Sequence, residues 1–365
     1  MFSWPIASLI AGCLTTLAFA PFDLSWLVFF TVAAVFYLWT NLPAKQALIS
    51  AWLFGLGLQC TGVSWIYYSL HVHGSAPVLF AIILVFLLCC YLSIYTALSV
   101  YVVNRYLPDN TVLRLMFFYP ASWVVFEWLQ GYVMTGFSWM QLGYTQIDLP
   151  LSGFAPVLGN HAISGLIAVC AGALALLFKQ RSDLKIKKVV IVVLPVISLW
   201  LTGVLLKPLN WTVSEGAPIK VSVIQGNIAQ KDKWSPRVKQ ASLTMYRDLS
   251  LAQTDVDLIV WPETAVPDYR YRKLQYLDQL SIDMKAHDTD LLLGIFVKND
   301  ENRTLNSVVN VNGGIYNKRH LVPLGEYIPL RFLIEFFNRF VKIPMSDIDS
   351  GDENQKLLTG AGVPL

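Results

Sequence analysis

The stretch Leu258-Ile259-Val260-Trp261-Pro262-Glu263 predicts a buried β-strand that ends on a carboxylate. Short runs of branched apolar residues are typical of strands in the interior of a sheet. Similar runs occur at 219–226, 291–296 and 307–311. Amphipathic helical patterns accompany them at 236–253 and 272–287. Because strands that alternate with helices are typical of layered α/β folds, we predict an α/β domain in this part of the chain.

A β-hairpin is predicted at the end of this series. The run Val309-Asn310-Val311-Asn312-Gly313-Gly314-Ile315-Tyr316-Asn317-Lys318 has β-type residues on both sides of Asn312-Gly313-Gly314. Asparagine and glycine supply the positive φ that a tight hairpin turn needs.

The charge distribution divides the chain into two parts. Residues 1–207 contain 9 Lys and Arg and 5 Asp and Glu, whereas residues 208–365 contain 18 and 19. The net charge of +3 is therefore +4 in the first part and −1 in the second. We predict two domains in different solvents, a membrane domain at 1–207 and a second domain at 208–365.

Seven apolar stretches in the first part are candidates to cross a hydrocarbon layer of ~30 Å, which takes about 20 helical residues. They are 4–20, 26–42, 46–69, 77–104, 114–133, 157–178 and 189–206. Lys and Arg fall in alternate connecting loops, beginning with Lys45. By the positive-inside rule the N-terminus is cytoplasmic and residues 208–365 lie outside the cytoplasm.

Composition excludes several other classes of protein. With 55% hydrophobic and 14% charged residues, the chain is not intrinsically disordered. The positive excess is confined to the apolar part, so a nucleic-acid partner has no support. The cysteines lie in or beside apolar runs without metal-ligand spacing, which argues against a zinc site or a disulfide framework. They are Cys13, Cys60, Cys89, Cys90 and Cys170.

Two carboxylates and a lysine are the candidates for chemistry. Glu263 follows a buried strand and an adjacent proline, a position suited to a general base in a dry cleft. Lys318 precedes a loop that contains Glu326. Glutamates at strand ends are more often solvated, and lysines after hairpins are usually surface charges. The residue pattern alone leaves both interpretations open.

The motifs as a set resemble a known family. Trp261-Pro262-Glu263 and the run from Lys318 to Tyr327 resemble the nitrilase superfamily, and the membrane domain in front narrows this to the bacterial apolipoprotein N-acyltransferase family. Further segments that resemble the family are LAFAPFDLSW (17–26), GVSWIYYSL (62–70), FEWLQGYVMTGFSWMQLGYTQ (126–146) and QGNIAQKDKW (225–234). The resemblance implies a multi-pass helical membrane bundle followed by an α-β-β-α sandwich.

The resemblance also implies a reaction and a site. Glu263 matches the general base, Lys318 the catalytic lysine, Glu326 a second functional carboxylate and Trp234 an aromatic residue of the site. The implied substrates are a phospholipid acyl donor and a diacylated lipoprotein acceptor, with no metal or diffusible cofactor. The implied location is the bacterial inner membrane, with the catalytic domain on the periplasmic side.

Some residues depart from the family pattern. Gln130 stands where the family commonly has Arg, and Ser138 where it commonly has Pro. The His71-Val72-His73 loop is unusual, although two histidines without a third ligand indicate a polar loop rather than a metal site. Glu127 lies within an apolar segment, where a carboxylate is a functional hypothesis by default.

The largest departure concerns the nucleophile. The family's cysteine lies on a later strand of the sandwich, whereas no cysteine follows Cys170 here. We therefore expect a shortened acyltransferase with an incomplete sandwich, inactive by itself. The rival interpretation is a non-enzymatic, membrane-anchored remnant that binds lipid or lipoprotein. A transporter is a weaker third hypothesis, since the apolar segments contain few ionisable residues.

One expectation is geometric. Glu263 and Lys318 are 55 positions apart, so nothing local in the sequence brings them together. If the resemblance holds, both should lie in one cleft within about 4–6 Å, where charges couple appreciably. Glu326 should line the same cleft.

Overall fold

The computed structural model describes residues 3–74, 76–183, 185–323, 325–327 and 348–365. Leu324, which belongs to the predicted site motif, lies outside them. The chain forms two compact units, Met1–Val213 and Ser214–Leu365. The division predicted from the sequence, a membrane domain at 1–207 and a second domain at 208–365, stays a prediction.

The first unit is helical. Every one of the seven predicted apolar segments contains a helix, as the bounds show. The helices are α1 Trp4–Thr15, α2 Leu27–Trp39, α3 Ala44–Gly62, α4 Ile66–Tyr68, α5 Val78–Tyr106, α6 Thr111–Leu113, α7 Tyr119–Gln130, α8 Ala155–Lys179 and α9 Ile186–Leu206. Short 3₁₀ or π turns extend or connect them at 16–18, 69–73, 114–118, 133–135, 142–146, 150–154 and 181–183.

Four helical stretches among the described residues are long and apolar enough to cross a membrane: Val78–Tyr106, Thr111–Gln130, Pro150–Lys179 and Val189–Leu206. A fifth crossing is formed if the pair Ala44–Gly62 and Ile66–His73, bent by 56°, counts as one span. Trp4–Ala18 and Leu27–Trp39 are shorter apolar helices. The predicted total of about seven crossings therefore stays a prediction.

Close helix packing in this unit depends on small residues. A Cβ atom at Gly12 would lie 2.0 Å from the Phe54 carbonyl oxygen, so α1 and α3 meet backbone to backbone. Apolar helices in a membrane gain little from hydrophobic burial against each other, and such close approach supplies dispersion contacts instead. Beside this seam, Trp39 stacks on Trp123 with ring centroids 6.4 Å apart.

The second unit is built on a mixed sheet. Its strands are β1 Val221–Val223, β2 Leu258–Val260, β3 Val266–Tyr269, β4 Asp290–Lys298, β5 Thr304–Asn310, β6 Ile315–Asn317 and β7 Ile348–Asp349, with β8 Thr359–Gly360 and β9 Val363–Pro364 as a separate pair. The order is β1-β2-β4-β5-β6, with β3 on β4 and β7 on β5. The first three strands of this path are parallel, and β4, β5 and β6 are antiparallel neighbours.

The predicted elements of this unit are present. Helices α10 Pro236–Leu251 and α11 Leu274–Ala286 lie where the two helical patterns predict them. The hairpin of β5 and β6 pairs Ser307 with Asn317, and Gly313 and Gly314 have φ of 144° and 97°. The α/β interpretation and the hairpin are therefore confirmed.

The two faces of the sheet have different coverings. Alternate residues of β4 point to opposite faces. Leu293 packs in the same buried cluster as Leu243 of α10 and Leu280 of α11. Leu292 belongs instead to a small cluster with Leu258 and Leu358. Gly294 and Phe296 share the face of Leu292, opposite the face that packs against α10 and α11, so side chains on this face are available to form a site.

Candidate active site

The turn after β2 positions Glu263. Trp261 is buried, stacks on Tyr246 with centroids 5.0 Å apart, and donates its indole N–H to Ser250 Oγ at 2.8 Å. These contacts anchor the strand end beneath α10. The chain then turns, with an Ala265 N–H to Pro262 carbonyl bond of 3.1 Å, and Glu263 leaves the sheet at the turn.

Gly294 of β4 makes room for this turn. A Cβ atom at position 294 would lie 2.3 Å from Thr264 N and 2.8 Å from Glu263 Cα. Real Cβ atoms do not approach backbone atoms so closely. The absence of a side chain at Gly294 therefore lets the backbone that carries Glu263 lie directly on the central strand.

The β5–β6 hairpin positions Lys318. The Lys318 N–H donates to the Asn306 carbonyl at 2.7 Å, which extends the hairpin pairing by one residue. On the other side of the chain, the Gly351 N–H donates to the Lys318 carbonyl at 2.9 Å. Both backbone groups of Lys318 are thus held, and its side chain projects toward Glu263.

The three predicted charged residues come together. Lys318 Nζ lies 3.2 Å from Glu263 Oε1 and 3.0 Å from Glu326 Oε2. Glu263 and Lys318 are closer than the 4–6 Å expected from the sequence. Glu326 contacts the same ammonium group. The arrangement is a carboxylate, ammonium and carboxylate in contact. Their roles in a reaction stay predictions.

Glu326 is a buried and fully bonded carboxylate. Its Oε1 accepts from Asn306 Nδ2 at 2.9 Å and from Lys318 Nζ at 3.1 Å, while its Oε2 accepts from the Val322 N–H at 2.8 Å. Burial raises the pKa of Glu326, but the hydrogen bonds from Val322, Asn306 and Lys318 outweigh burial and hold the pKa below its ordinary value. Glu326 is therefore ionised and serves as a fixed counter-charge.

Lys318 is held in its charged form. Burial lowers the pKa of Lys318, yet the hydrogen bonds and charges of Glu326 and Glu263 outweigh this effect and raise the pKa above its ordinary value. A permanently charged ammonium beside a cleft can stabilise a developing oxyanion. It is unsuited to act as a base at neutral pH.

Glu263 is the accessible carboxylate. Its side chain is 63% exposed, against 11% for Glu326. Its Oε1 accepts from Lys318 Nζ and Asn306 Nδ2, and among the described residues its Oε2 accepts no hydrogen bond. The two carboxylates thus differ in their surroundings, because among the described residues only Glu263 presents an exposed oxygen that accepts no hydrogen bond from the protein.

Trp234 lies on the same sheet face. Its ring stacks on Phe296 with centroids 6.1 Å apart and planes 21° apart, and Phe296 pairs with Asn306 in the register of β4 and β5. The neighbouring Lys233 donates from Nζ to the Glu263 carbonyl at 3.3 Å. Burial lowers the pKa of Lys233, and the Glu263 charge opposes this only in part.

Asn306, Gly294 and Lys233 are site residues that the sequence reasoning missed. Asn306 is 5% exposed and bridges both carboxylates through one amide nitrogen. The signal that could have found it is a buried amide within the apolar strand TLNSVVN. Gly294 gave a weaker signal as a lone glycine inside a strand, which often marks a close backbone approach.

The histidine pair lies in the first unit. His71 Nδ1 lies 2.8 Å from the Ala76 carbonyl oxygen, and His73 contacts the Tyr68 ring. Across the part of the chain that the structure describes, three or more His, Cys, Asp or Glu side chains do not come together at metal-binding distance.

Comparison with known proteins places both units. Residues 220–356 match the carbon-nitrogen hydrolase family model, and residues 11–173 match the model of the apolipoprotein N-acyltransferase N-terminal domain. The two matches define a membrane-anchored protein with a nitrilase-like domain, and they confirm the predicted fold class.

Relatives that match nearly the whole chain define the family more closely. An apolipoprotein N-acyltransferase of Methylococcus capsulatus is 35% identical over 99% of this chain and 71% of its own length. That of Pseudomonas syringae pv. tomato is 38% identical over 98% of this chain and 72% of its own length. That of Coxiella burnetii is 34% identical over 99% of this chain and 74% of its own length. The chain belongs to the apolipoprotein N-acyltransferase family, as its motifs predict.

Proposed function

We propose that this protein serves the N-acylation of bacterial lipoproteins, with a phospholipid as acyl donor. The observation that carries the proposal is the contact of Lys318 Nζ with Glu263 and Glu326 in a nitrilase-like unit. One accessible carboxylate and one fixed ammonium are the groups that acyl transfer through a nucleophile requires. The names of the relatives support lipoprotein amines as the acceptor.

The first step forms a thioester. Glu263 Oε2 takes the proton of a thiol, and the thiolate attacks the carbonyl carbon of a phospholipid ester. A C–S bond forms, the ester C–O bond breaks, and Glu263 returns the proton to the departing alkoxide. General base catalysis of this kind contributes typically 10²–10⁴-fold.

The second step transfers the acyl group to nitrogen. The α-amine of a diacylglyceryl-cysteine attacks the thioester, a C–N bond forms and the C–S bond breaks. Glu263 takes a proton from the amine and returns it to the thiolate. No metal or diffusible cofactor takes part in either step.

Lys318 acts on the oxyanion of both tetrahedral intermediates. Loss of one such donor typically costs about 3–4 kcal/mol of transition-state stabilisation. Glu326 and Asn306 are positioning residues in this scheme, because both are buried and contact the charged groups of Lys318 or Glu263. Trp234, on the same sheet face, supplies an aromatic wall for the acyl chain.

The thiol is the component that residues 214–365 do not provide. All five cysteines belong to the first unit, in or beside its apolar helices. We therefore propose that these 365 residues alone do not draw an acyl group from a phospholipid. The alternative, binding of lipid or lipoprotein without transfer, is favoured by this same absence of a thiol in the second unit.

Both membrane placement and orientation are part of the proposal. The apolar helices and the alternation of basic loops support a multi-pass protein of the bacterial inner membrane, with residues 208–365 on the periplasmic side. Membrane lipid then surrounds the first unit, and a lipid ester is available to the second.

A preformed thioester tests the chemistry without the missing thiol. The purified chain in detergent is mixed with a palmitoyl thioester of N-acetylcysteamine and a diacylated lipopeptide, and amide formation is followed by mass spectrometry. We expect wild-type protein to accelerate transfer, and Glu263→Gln and Lys318→Met to lose at least tenfold. Exposed residues of the same unit supply matched controls, Glu353→Gln and Lys356→Met, which should behave as wild type.

The same assay separates the two candidate functions. If wild type and Glu263→Gln give equal rates while the lipopeptide still binds, the base assignment is wrong and the binding interpretation is preferred. Transfer from phospholipid in the absence of the thioester, abolished by Glu263→Gln, would instead show that another nucleophile or direct attack operates.

A further inference from the structure

A second polar site lies inside the helical unit, far along the chain from the charged cluster. Glu127 of α7 is 7% exposed and Gln59 of α3 is 4% exposed. Glu127 Oε1 accepts the Leu142 N–H at 3.0 Å. Glu127 Oε2 and Gln59 Oε1 are buried and have no hydrogen-bond partner among the described residues. Two orphaned acceptors on two helices require an explanation, since such groups are costly within a membrane.

Both side chains line one small cavity. Its volume is about 20 Å³, and roughly 10–15 Å³ on this scale accommodates one water-sized group. The cavity therefore fits a single small group, and two of its lining residues carry an oxygen that accepts no hydrogen bond from the described residues. A larger head group can reach it only with its tip.

The Glu127 carboxylate and the aromatic rings that line the cavity indicate which kind of group it binds. Aromatic side chains of the lining are Tyr95, Trp123, Phe126 and Trp139, and none of the described Lys, Arg or His residues lines the cavity. Among the described residues no cation pairs with Glu127. A buried carboxylate with no cationic partner and the negative faces of aromatic rings both attract a cation.

We propose that this cavity binds an ammonium group, held by Glu127, Gln59 and the surrounding aromatic rings. Water supplies donors without charge, whereas an ammonium supplies both in a group of the right size. The group is either a free amine or the –NH₃⁺ tip of a membrane lipid head group. This inference does not depend on the proposed acyl transfer, because it concerns residues of the helical unit only.

Thermal unfolding of the full chain in detergent tests the free amine. The probes are methylammonium chloride, tetramethylammonium chloride, which has no N–H donor, and sodium chloride at equal ionic strength. We expect methylammonium to raise the unfolding midpoint of wild type by several degrees, since a ligand that binds only the folded state stabilises it. The other two salts should give no comparable shift.

Variants connect the shift to the cavity. Glu127→Gln, which keeps the shape and removes the charge, should abolish the methylammonium shift. Asp148→Asn removes an exposed carboxylate of the same unit and should leave the shift intact. If Glu127→Gln does not fold, Gln59→Met removes the second acceptor at similar volume and should weaken the shift.

A lipid arm distinguishes the two sources. The chain is placed in micelles that contain either an ethanolamine phospholipid or its choline counterpart, which lacks N–H donors. A midpoint higher in ethanolamine lipid, and lost in Glu127→Gln, identifies the head group as the source. The proposal would be overturned by equal stabilisation from sodium chloride, or by no response to both methylammonium and the ethanolamine lipid. An unchanged response in Glu127→Gln would also overturn it.

Discussion

Glu263 and Glu326 show how surroundings give two identical side chains different chemistry. Both contact Lys318 and Asn306, yet Glu326 is buried and receives donors on both oxygens. Glu263 receives donors on one oxygen and keeps the other accessible among the described residues. Depth in the protein, rather than residue type, therefore separates the fully bonded carboxylate from the accessible one.

Acid should lower the stability of the second unit by protonating Glu326. Its folded-state pKa lies below the ordinary value of 4.5, so its contribution to the free energy of unfolding is complete above pH 4.5 and is lost as pH falls below that. The pKa of Lys318 lies above 10.5, so its contribution is lost only above that pH. Urea unfolding followed by tryptophan fluorescence should show a plateau between these limits.

A pair of variants tests whether Glu326 causes the loss of stability below pH 4.5. Glu326→Gln should lower stability on the plateau and flatten the decline below pH 4.5, because the titrating group is gone. The exposed Glu353→Gln should leave the decline unchanged. If the free energy of unfolding of Glu326→Gln declines as steeply below pH 4.5 as that of wild type, other carboxylates cause the decline.

Three of the charged site residues could be predicted because they stand in recognisable motifs, whereas Asn306 and Lys233 could not. Asn306 contacts residues 43 and 20 positions away, and no local periodicity predicts such pairings. Lys233 lies in the polar run Gln230-Lys231-Asp232-Lys233, where a single ordered lysine is indistinguishable from solvated ones. Only the folded chain shows that its ammonium reaches the Glu263 carbonyl.

Among the elements, those with strong patterns were predictable and the irregular strand was not. The run at 258–263 contains strand β2, the run at 291–296 lies within strand β4, and 236–253 contains α10. Strand β3, Val266–Tyr269, includes Pro267 and pairs with β4 through a register shift. Proline lacks the donor that a regular ladder needs, so neither propensity nor alternation predicts this strand.

Gly294 should be the position where β4 tolerates no side chain. Gly294→Ala places a Cβ atom against Thr264 N and Glu263 Cα, so the turn must move away from the strand. Overpacking of this kind typically costs about 1–3 kcal/mol of stability. We expect lower stability in urea unfolding, and a rate in the thioester assay close to that of Glu263→Gln.

A neighbouring glycine supplies the comparison. Gly325 lies beside Glu326, but a Cβ atom there would meet Val322 at an ordinary 3.6 Å. Gly325→Ala should therefore keep both stability and rate near wild type. If both alanine variants lose rate equally, general sensitivity of the site, not displacement of Glu263, is the cause.

At the scale of the whole molecule, the two units follow the two compositions of the sequence. Apolar helices fill Met1–Val213, and the charged residues concentrate in Ser214–Leu365. Composition predicts this division because a surface in contact with lipid must be apolar, whereas a surface in contact with water carries charged residues. Composition alone does not give the number of crossings, since short helices such as Leu27–Trp39 satisfy the apolar pattern without the usual length.

The second unit should lie on the periplasmic side. Glu353→Cys, an exposed position of that unit, should react with a membrane-impermeant maleimide in intact spheroplasts. Lys45→Cys, in a basic loop, should react only after lysis. Labelling is measured by mass shift against the wild-type background, whose five cysteines lie in the helical unit. Reversed labelling of the two variants would overturn the orientation.

The order in which the charged cluster is assembled follows from the path of the chain. Glu263 leaves the ribosome first, and its partner Lys318 follows 55 residues later, beyond the β5–β6 hairpin. Until that hairpin closes, the Glu263 carboxylate has neither Asn306 nor Lys318 to hold it. Domains generally fold as units during synthesis, so this cluster forms only after the hairpin has been made. A nascent chain stalled before residue 318 would therefore present an unpartnered carboxylate, and pairing of Glu263 with Lys318 marks completion of the antiparallel half of the sheet.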